Sequence, residues 1–181
     1  MLELGQGEQV LDIGCGTGMN FPLLQERVGP TGFVIGVDRS ASMLAQARRR
    51  ASREKWDNVI LIQADATTMQ PAGIAAEVTR AGGRARSDVA MATYALSLMQ
   101  PWECAWETMR ELTTASARLG VLDMQRPTGL SAVFTPLAKA ACRLGGADIE
   151  AHPWTAVERD CTEIRADSVR GGHLQIRVGT T

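Results

Sequence analysis

Three alternate glycines, Gly14, Gly16 and Gly18, follow directly on the apolar run Val10-Leu11-Asp12-Ile13, with Asp12 inside that run and Cys15 between the first two glycines. A second acidic residue, Asp38, closes another apolar run, Phe33-Val34-Ile35-Gly36-Val37, twenty residues beyond Gly18. Residues of these types suit binding rather than bond cleavage. A loop that leaves a strand must turn tightly and let a ligand touch bare backbone. A Cβ at Gly14 or Gly16 would occupy ligand space or forbid the dihedrals required. The next helix begins beside that ligand with free N–H groups directed at it. A carboxylate ending an apolar strand, with no other evident partner, is placed to accept the hydroxyls of a sugar. The pattern predicts a nucleoside-binding crevice at the top of a parallel sheet.

The spacing narrows the nucleoside. The dinucleotide fingerprint is G-x-G-x-x-G/A. Here the third glycine comes one residue early, at Gly18, and Met19 follows it. No Gly-Lys-Ser/Thr follows either, so the Walker phosphate loop is absent. A glycine loop without phosphate-binding hallmarks, paired with a ribose-binding acid, suits a nucleoside that carries no phosphate.

The elements that must position these residues alternate in type. Apolar runs predict strands over 10–15, 33–38, 59–64, 88–95 and 119–124. Between them, helices are predicted from about Gly18 to Val28, Ala41 to Lys55, Pro71 to Arg80 and Pro101 to Thr113. Pro101 fits a first helical turn, where its missing N–H costs nothing. Trp102, Ala105, Trp106, Met109 and Leu112 form the core face of that helix. Leu130, Val133, Phe134, Leu137, Ala138 and Ala141 form a further helical stripe, ended by Gly145-Gly146. Two runs, 161–169 and 173–178, flank Arg170-Gly171-Gly172 and read as an antiparallel hairpin closing the sheet.

Composition bounds the partners. The 181 residues are 45% hydrophobic and 22% charged, as expected of one soluble globular domain. A net charge of −1 gives no global field for DNA or an anionic membrane. The basic run Arg48, Arg49, Arg50, Arg53 and Lys55 falls at a helix end and lacks interleaved aromatics, so a solvated helix face is favoured over RNA binding. No apolar run approaches the roughly 20 residues of a membrane span. The start, Met-Leu-Glu-Leu-Gly, has no secretory character. Cys15, Cys104, Cys142 and Cys161 form no Cys-x-x-Cys pair, so no metal site is expected and a reduced, cytoplasmic setting is.

In these residues the chain resembles the class I S-adenosyl-L-methionine-dependent methyltransferases. Val10-Leu11-Asp12-Ile13-Gly14-Cys15-Gly16-Thr17-Gly18 is similar to that family's first motif almost residue for residue. Gly36-Val37-Asp38-Arg39-Ser40, with Ser42-Met43-Leu44 and Ala47-Arg48 after it, resembles the second. Ile62-Gln63-Ala64-Asp65-Ala66 resembles the third, and Asp88-Val89-Ala90 leading to Tyr94-Ala95-Leu96-Ser97 resembles the fourth strand with the loop lining the transfer site. The resemblance implies a Rossmann-like α/β fold: a seven-stranded, mostly parallel sheet with an antiparallel last strand and helices on both faces. It also implies the cofactor site. Asp38 would accept both ribose hydroxyls, with Arg39 beside it. Gly14, Cys15, Gly16 and Gly18 would bring backbone to the methionine portion and ribose. Asp12 would help hold the ammonium, Asp65 and Ala66 would meet the adenine edge, and Met43 would pack on its face. Residues 1–181 then read as a single methyltransferase domain lacking most of the N-terminal cover helices of many relatives. Ser116-Ala117-Arg118-Leu119-Gly120 stands where the family often has a Pro-Gly-Gly turn.

Methyl transfer needs alignment of a nucleophile with an activated methyl group, and a base only when the acceptor must lose a proton. Two residues are candidates for catalysis or substrate contact: Tyr94, just beyond the fourth strand and expected to touch the cofactor as well, and His152, in Ala151-His152-Pro153-Trp154. His173, at the start of the last strand, reads as structural, and Asp123-Met124-Gln125-Arg126 ends the fifth strand at the same sheet edge. The chain lacks the Asp/Asn-Pro-Pro-Tyr/Phe signature of amino-methylating nucleic-acid enzymes. A small apolar or amphiphilic acceptor is expected, and the stripe over 130–141 leaves peripheral membrane contact open. Competing readings are a non-catalytic binding module with this fold, an RNA methyltransferase, and a nicotinamide-dependent oxidoreductase. The glycine spacing and the lack of a Tyr-x-x-x-Lys pair oppose the last.

Overall fold

Val10 and Ile13 are fully buried and Leu11 almost so, as a central strand covered on both faces requires. They belong to β1 (Gln9–Ile13), an interior strand of a seven-stranded sheet in a computed structural model that describes residues 2–127, 135 and 146–181. After β1 come α1 (Phe21–Val28), β2 (Phe33–Asp38), α2 (Ala41–Glu54), β3 (Val59–Gln63), α3 (Pro71–Arg80) and β4 (Ser87–Thr93). A one-turn 3-10 helix, Leu96–Leu98, precedes α4 (Trp102–Glu111) and β5 (Thr113–Met124). The chain closes with α5 (Thr155–Asp160), β6 (Thr162–Val169) and β7 (Leu174–Thr180).

The sheet order is β3-β2-β1-β4-β5-β7-β6. β1 to β5 run parallel, and β7 is antiparallel to both its neighbours. Side chains alternate across the sheet, so the inner parallel strands feed two cores, while β6 at the edge is exposed throughout. On one face Phe21 and Leu24 of α1 and Leu44 and Ala47 of α2 pack with Val10, Val34 and Val89. On the other, Ile74 and Val78 of α3, Trp106 and Met109 of α4 and Val157 of α5 pack with Leu11, Ile13, Ile35 and Ala90. This is the expected seven-stranded α/β architecture with helices on both faces. The chain leaves β1 toward β2 and β3 on one side and returns to β4 on the other. That reversal opens a crevice at the carboxyl ends of β1 and β4, the usual ligand position in such sheets.

Local differences from the sequence reading have physical causes. α1 starts at Phe21, because the glycines at 14, 16 and 18 all have positive φ. Pro101 is the residue before α4, with ψ 129, rather than its first helical residue. β5 begins at Thr113, six residues before the apolar run that signals it, and its pairing with β4 shifts register between Ser87 and Val89. Extended chain with a bulge therefore replaces the Pro-Gly-Gly turn of the family pattern. The stripe expected at 130–141 and Cys142 lie outside the described residues.

Candidate functional site

The glycine loop is docked by its own backbone. The amides of Gly14 and Cys15 both donate to the carbonyl of Val37, at 2.8 and 3.1 Å, which fastens the end of β1 to β2. The two critical glycines serve different ends. A Cβ on Gly14 would lie 2.5 Å from that of Ala95, so this glycine makes room for the segment after β4 rather than for a ligand. A Cβ on Gly16 would meet nothing within 4 Å among the described residues. Its φ of +54° and its place in the cavity lining make it the bare backbone expected against a ligand.

Asp38 does have partners in the protein, contrary to the sequence reading. Its Oδ2 accepts from the amide of Gly16 at 2.9 Å and its Oδ1 from the amide of Ser40 at 2.8 Å. A carboxylate oxygen has two lone pairs, so each retains one for a vicinal diol. The same side chain thus braces the glycine loop and can present a two-pronged acceptor. Ser40 caps α2, its Oγ accepting from the amide of Met43 at 3.3 Å. Met43 is 41% exposed and lines the cavity, so it is no part of the helix core.

Opposite stands the turn after β3. Asp65 Oδ1 accepts from both the amide and the hydroxyl of Thr67, at 2.9 and 2.7 Å, and these bonds hold its carboxyl below the usual range. Asp65 therefore stabilises its own turn while facing the cavity together with Ala66 and Thr67. The third wall is the segment after β4. Tyr94 sits at the rim in a left-handed conformation, φ +54°, its amide held by the carbonyl of Leu122 at 2.8 Å. Ala95, Leu98, Met99 and Gln100 continue that wall. The volume of this open-sided cavity is about 400 Å³, within the roughly 300–1,000 Å³ of small-molecule sites. A spare diol acceptor, a glycine open to solvent and a soft thioether around one cavity fit a nucleoside cofactor.

Other expected residues lie elsewhere. Asp12 is wholly buried and lines no part of the cavity. Its Oδ2 accepts from Asn20 Nδ2 at 3.1 Å, while Oδ1 has no hydrogen-bond partner among the described residues. Burial pushes its pKa up to about 7, opposed by the Asn20 bond and assisted by the negative charge of Asp38. The side chain of Cys15 belongs to the core and burial drives its thiol far above the ordinary range, so only its backbone serves the loop. Gly18 is set by the ring of Phe21, and Arg39 is an exposed part of the lining. His152 does not line the cavity; its ring stacks obliquely on Trp154, centroids 4.9 Å apart. His173 bonds the Gln125 carbonyl through Nδ1 at the base of the hairpin. Asp123 is buried behind the third wall. In the basic run, Arg50 reaches the carbonyl of Thr17 at 3.2 Å and so supports the glycine loop, while Arg48 and Arg49 are exposed.

Sequence reasoning missed Asn20, Thr67 and Met99. Asn20 carried a signal, since an Asn before Phe21-Pro22 looks like a helix cap; instead it makes no capping bond and turns to Asp12.

A family model described as a methyltransferase domain matches residues 4–159. The protein-L-isoaspartate O-methyltransferase of Methanothrix thermoacetophila is 37% identical over 67 residues, 37% of this chain and 32% of the relative. The 2-phytyl-1,4-naphtoquinone methyltransferase of Thermosynechococcus vestitus is 45% identical over 65 residues, 36% of this chain and 28% of the relative. The chain thus aligns with about a third or less of either relative's length. Among solved structures, a SAM-dependent methyltransferase from Aquifex aeolicus superposes with a TM-score of 0.64 at 16% identity, covering 98% of this chain and 84% of that one. That likeness establishes a common fold.

Proposed function

This chain belongs to the methyltransferase-domain family, and from that premise we propose that it moves a methyl group from S-adenosylmethionine to a small, apolar or amphiphilic acceptor. The observation that carries the reading is the pairing of Asp38 with Gly16 on one cavity: a carboxylate with two spare acceptor positions beside backbone that bears no side chain. In this reading Asp38 takes the ribose hydroxyls as charge-assisted hydrogen bonds. Gly14, Cys15 and Gly16 offer backbone to the amino-acid portion, Met43 packs on the adenine face, and Asp65 with Ala66 meets the adenine edge. Asp12 supports the loop from beneath, bonded to Asn20, and acts on the ammonium side only through that loop. The cofactor supplies a methyl group already activated on a sulfonium.

What remains for the protein is alignment. An acceptor lone pair must approach the methyl carbon in line, and orientation contributes at most about 7–11 kcal/mol to such a step. Tyr94 is the side chain best placed to guide it. A left-handed tyrosine costs about 1–3 kcal/mol, a strain that concentrates at ligand sites. Ala95, Leu98 and Met99 give the wall an apolar character that suits a ring or lipid-like acceptor. The quinone acceptor named for one relative is of this kind.

The test is transfer of label. Incubated with methyl-labelled S-adenosylmethionine and a cell extract, the protein should place label in the solvent-extractable small-molecule fraction. Label confined to RNA or protein would contradict the acceptor class. Tight cofactor binding with no label transferred would favour a binding module.

A further inference from the structure

We propose that Ser97 and Asp123 are a positioning pair: together they fix the cavity wall that runs from Tyr94 to Gln100. The inference deepens the cofactor reading above and rests on it. Asp123, near the end of β5, is wholly buried. A carboxylate there needs donors, and among the described residues it has three. Oδ1 accepts from Ser97 Oγ at 2.6 Å and from the amide of Met124 at 2.9 Å, while Oδ2 accepts from the amide of Ser97 at 2.9 Å. Two of the three come from one residue, so the main job of this carboxylate is to grip Ser97. Burial raises its pKa and the Ser97 bonds oppose that rise.

Ser97 is itself only 2% exposed and touches no part of the cavity, yet Ala95, Leu98, Met99 and Gln100 on either side of it all line that cavity. Its position therefore sets theirs. The methyl of Ala95 rests where Gly14 has no side chain, which couples this wall to the glycine loop. Tyr94 is pinned to β5 at the residue before Asp123, through the carbonyl of Leu122. With both ends of the turn tied to one strand, the strained tyrosine backbone is over-determined, the condition under which such strain persists. The carbonyl of Ser97 also accepts from the amide of Asp148 at 2.8 Å, so the segment leading into α5 hangs from the same point. A leucine in place of Asp123 could fill the space, but only directional bonds fix the turn to a fraction of an ångström.

A stability effect alone would not establish positioning, so the experiment separates the two. S-adenosylhomocysteine binding is measured by calorimetry for wild type, Ser97→Ala, Ser97→Thr and Val78→Ala, with thermal melts of each. Alanine deletes the hydroxyl that bonds Asp123 Oδ1 and leaves the buried carboxylate a donor short, whereas threonine keeps that hydroxyl. We expect affinity to fall about tenfold or more in Ser97→Ala and to return to within about threefold of wild type in Ser97→Thr. Val78→Ala, a core truncation on α3 beside Gly83 and Gln9 at the start of β1, is the control for stability. It should lose stability yet bind within about twofold of wild type. Affinity that is unchanged in Ser97→Ala, that is not restored in Ser97→Thr, or that falls equally in Val78→Ala overturns the inference and leaves the cofactor reading standing. Absence of binding in wild type overturns the cofactor reading itself.

Discussion

Two carboxylates one loop apart sit in opposite electrostatic circumstances. Asp38 has two backbone amides as donors and lies half-exposed on the cavity. Asp12 has one side-chain amide, an orphan oxygen and no exposure. The sign of the resulting linkage follows from the direction of the shift. The pKa of Asp12 in the folded protein, about 7, lies above the ordinary value of 3.8. Its neutral form is favoured on folding, so the associated stability is fully present below pH 3.8, declines as pH rises, and is gone above about 7. At most about 4 kcal/mol is involved. Asp12→Asn keeps the shape and an acceptor for Asn20 without the charge. Its Tm should exceed that of wild type at pH 8, with the advantage vanishing by pH 4; a deficit of equal size at every pH would count against a buried, uncompensated charge.

At the scale of elements, the close seating of α1 on the sheet depends on a missing side chain in β2. A Cβ on Gly36 would stand 2.8 Å from the ring of Phe21 and 2.9 Å from the sulfur of Cys15. Gly36→Ala should destabilise the fold by about 1–3 kcal/mol through overpacking, read as a lower urea midpoint with an unchanged m-value. Unaltered stability would mean that α1 has room to move. The elements themselves were largely legible, because β1 to β4 are apolar runs buried on both faces and the face of α4 repeats at helical spacing. The start of β5 was not, since Thr113, Thr114, Ser116 and Arg118 give no apolar run, and pairing of Thr113 with β4 and of Arg118 with both β4 and β7 extends the strand to them. The site divided in the same way. Asp38 and Gly16 announce themselves by spacing from the strand ends, whereas Met43 and Asp65 were legible only through the family resemblance. The bond of Asp38 to Gly16, the diversion of Asn20, and the Ser97–Asp123 pair join residues apart in sequence and leave no local trace, while the bond of Asp38 to the amide of Ser40 is a local turn contact.

At the scale of the molecule, one reversal of strand order gathers the ends of β1, β2, β3 and β4 around a single cavity. The two cores hold those ends rigid, while the loops between them carry the recognition groups. No helix among the described residues is long and apolar enough to cross a membrane. The account as a whole stands on the carboxylate of Asp38 meeting a ribose diol, and a thermodynamic cycle isolates that contact from the bracing of the loop. S-adenosylhomocysteine and its 2′-deoxy analogue are titrated by calorimetry into wild type and Asp38→Ala. Loss of the diol contact should cost wild type about 1.5–3 kcal/mol. Asp38→Ala should discriminate little between the two ligands, leaving a coupling energy of at least about 1 kcal/mol. Zero coupling, or wild-type protein that binds neither ligand, would contradict the account.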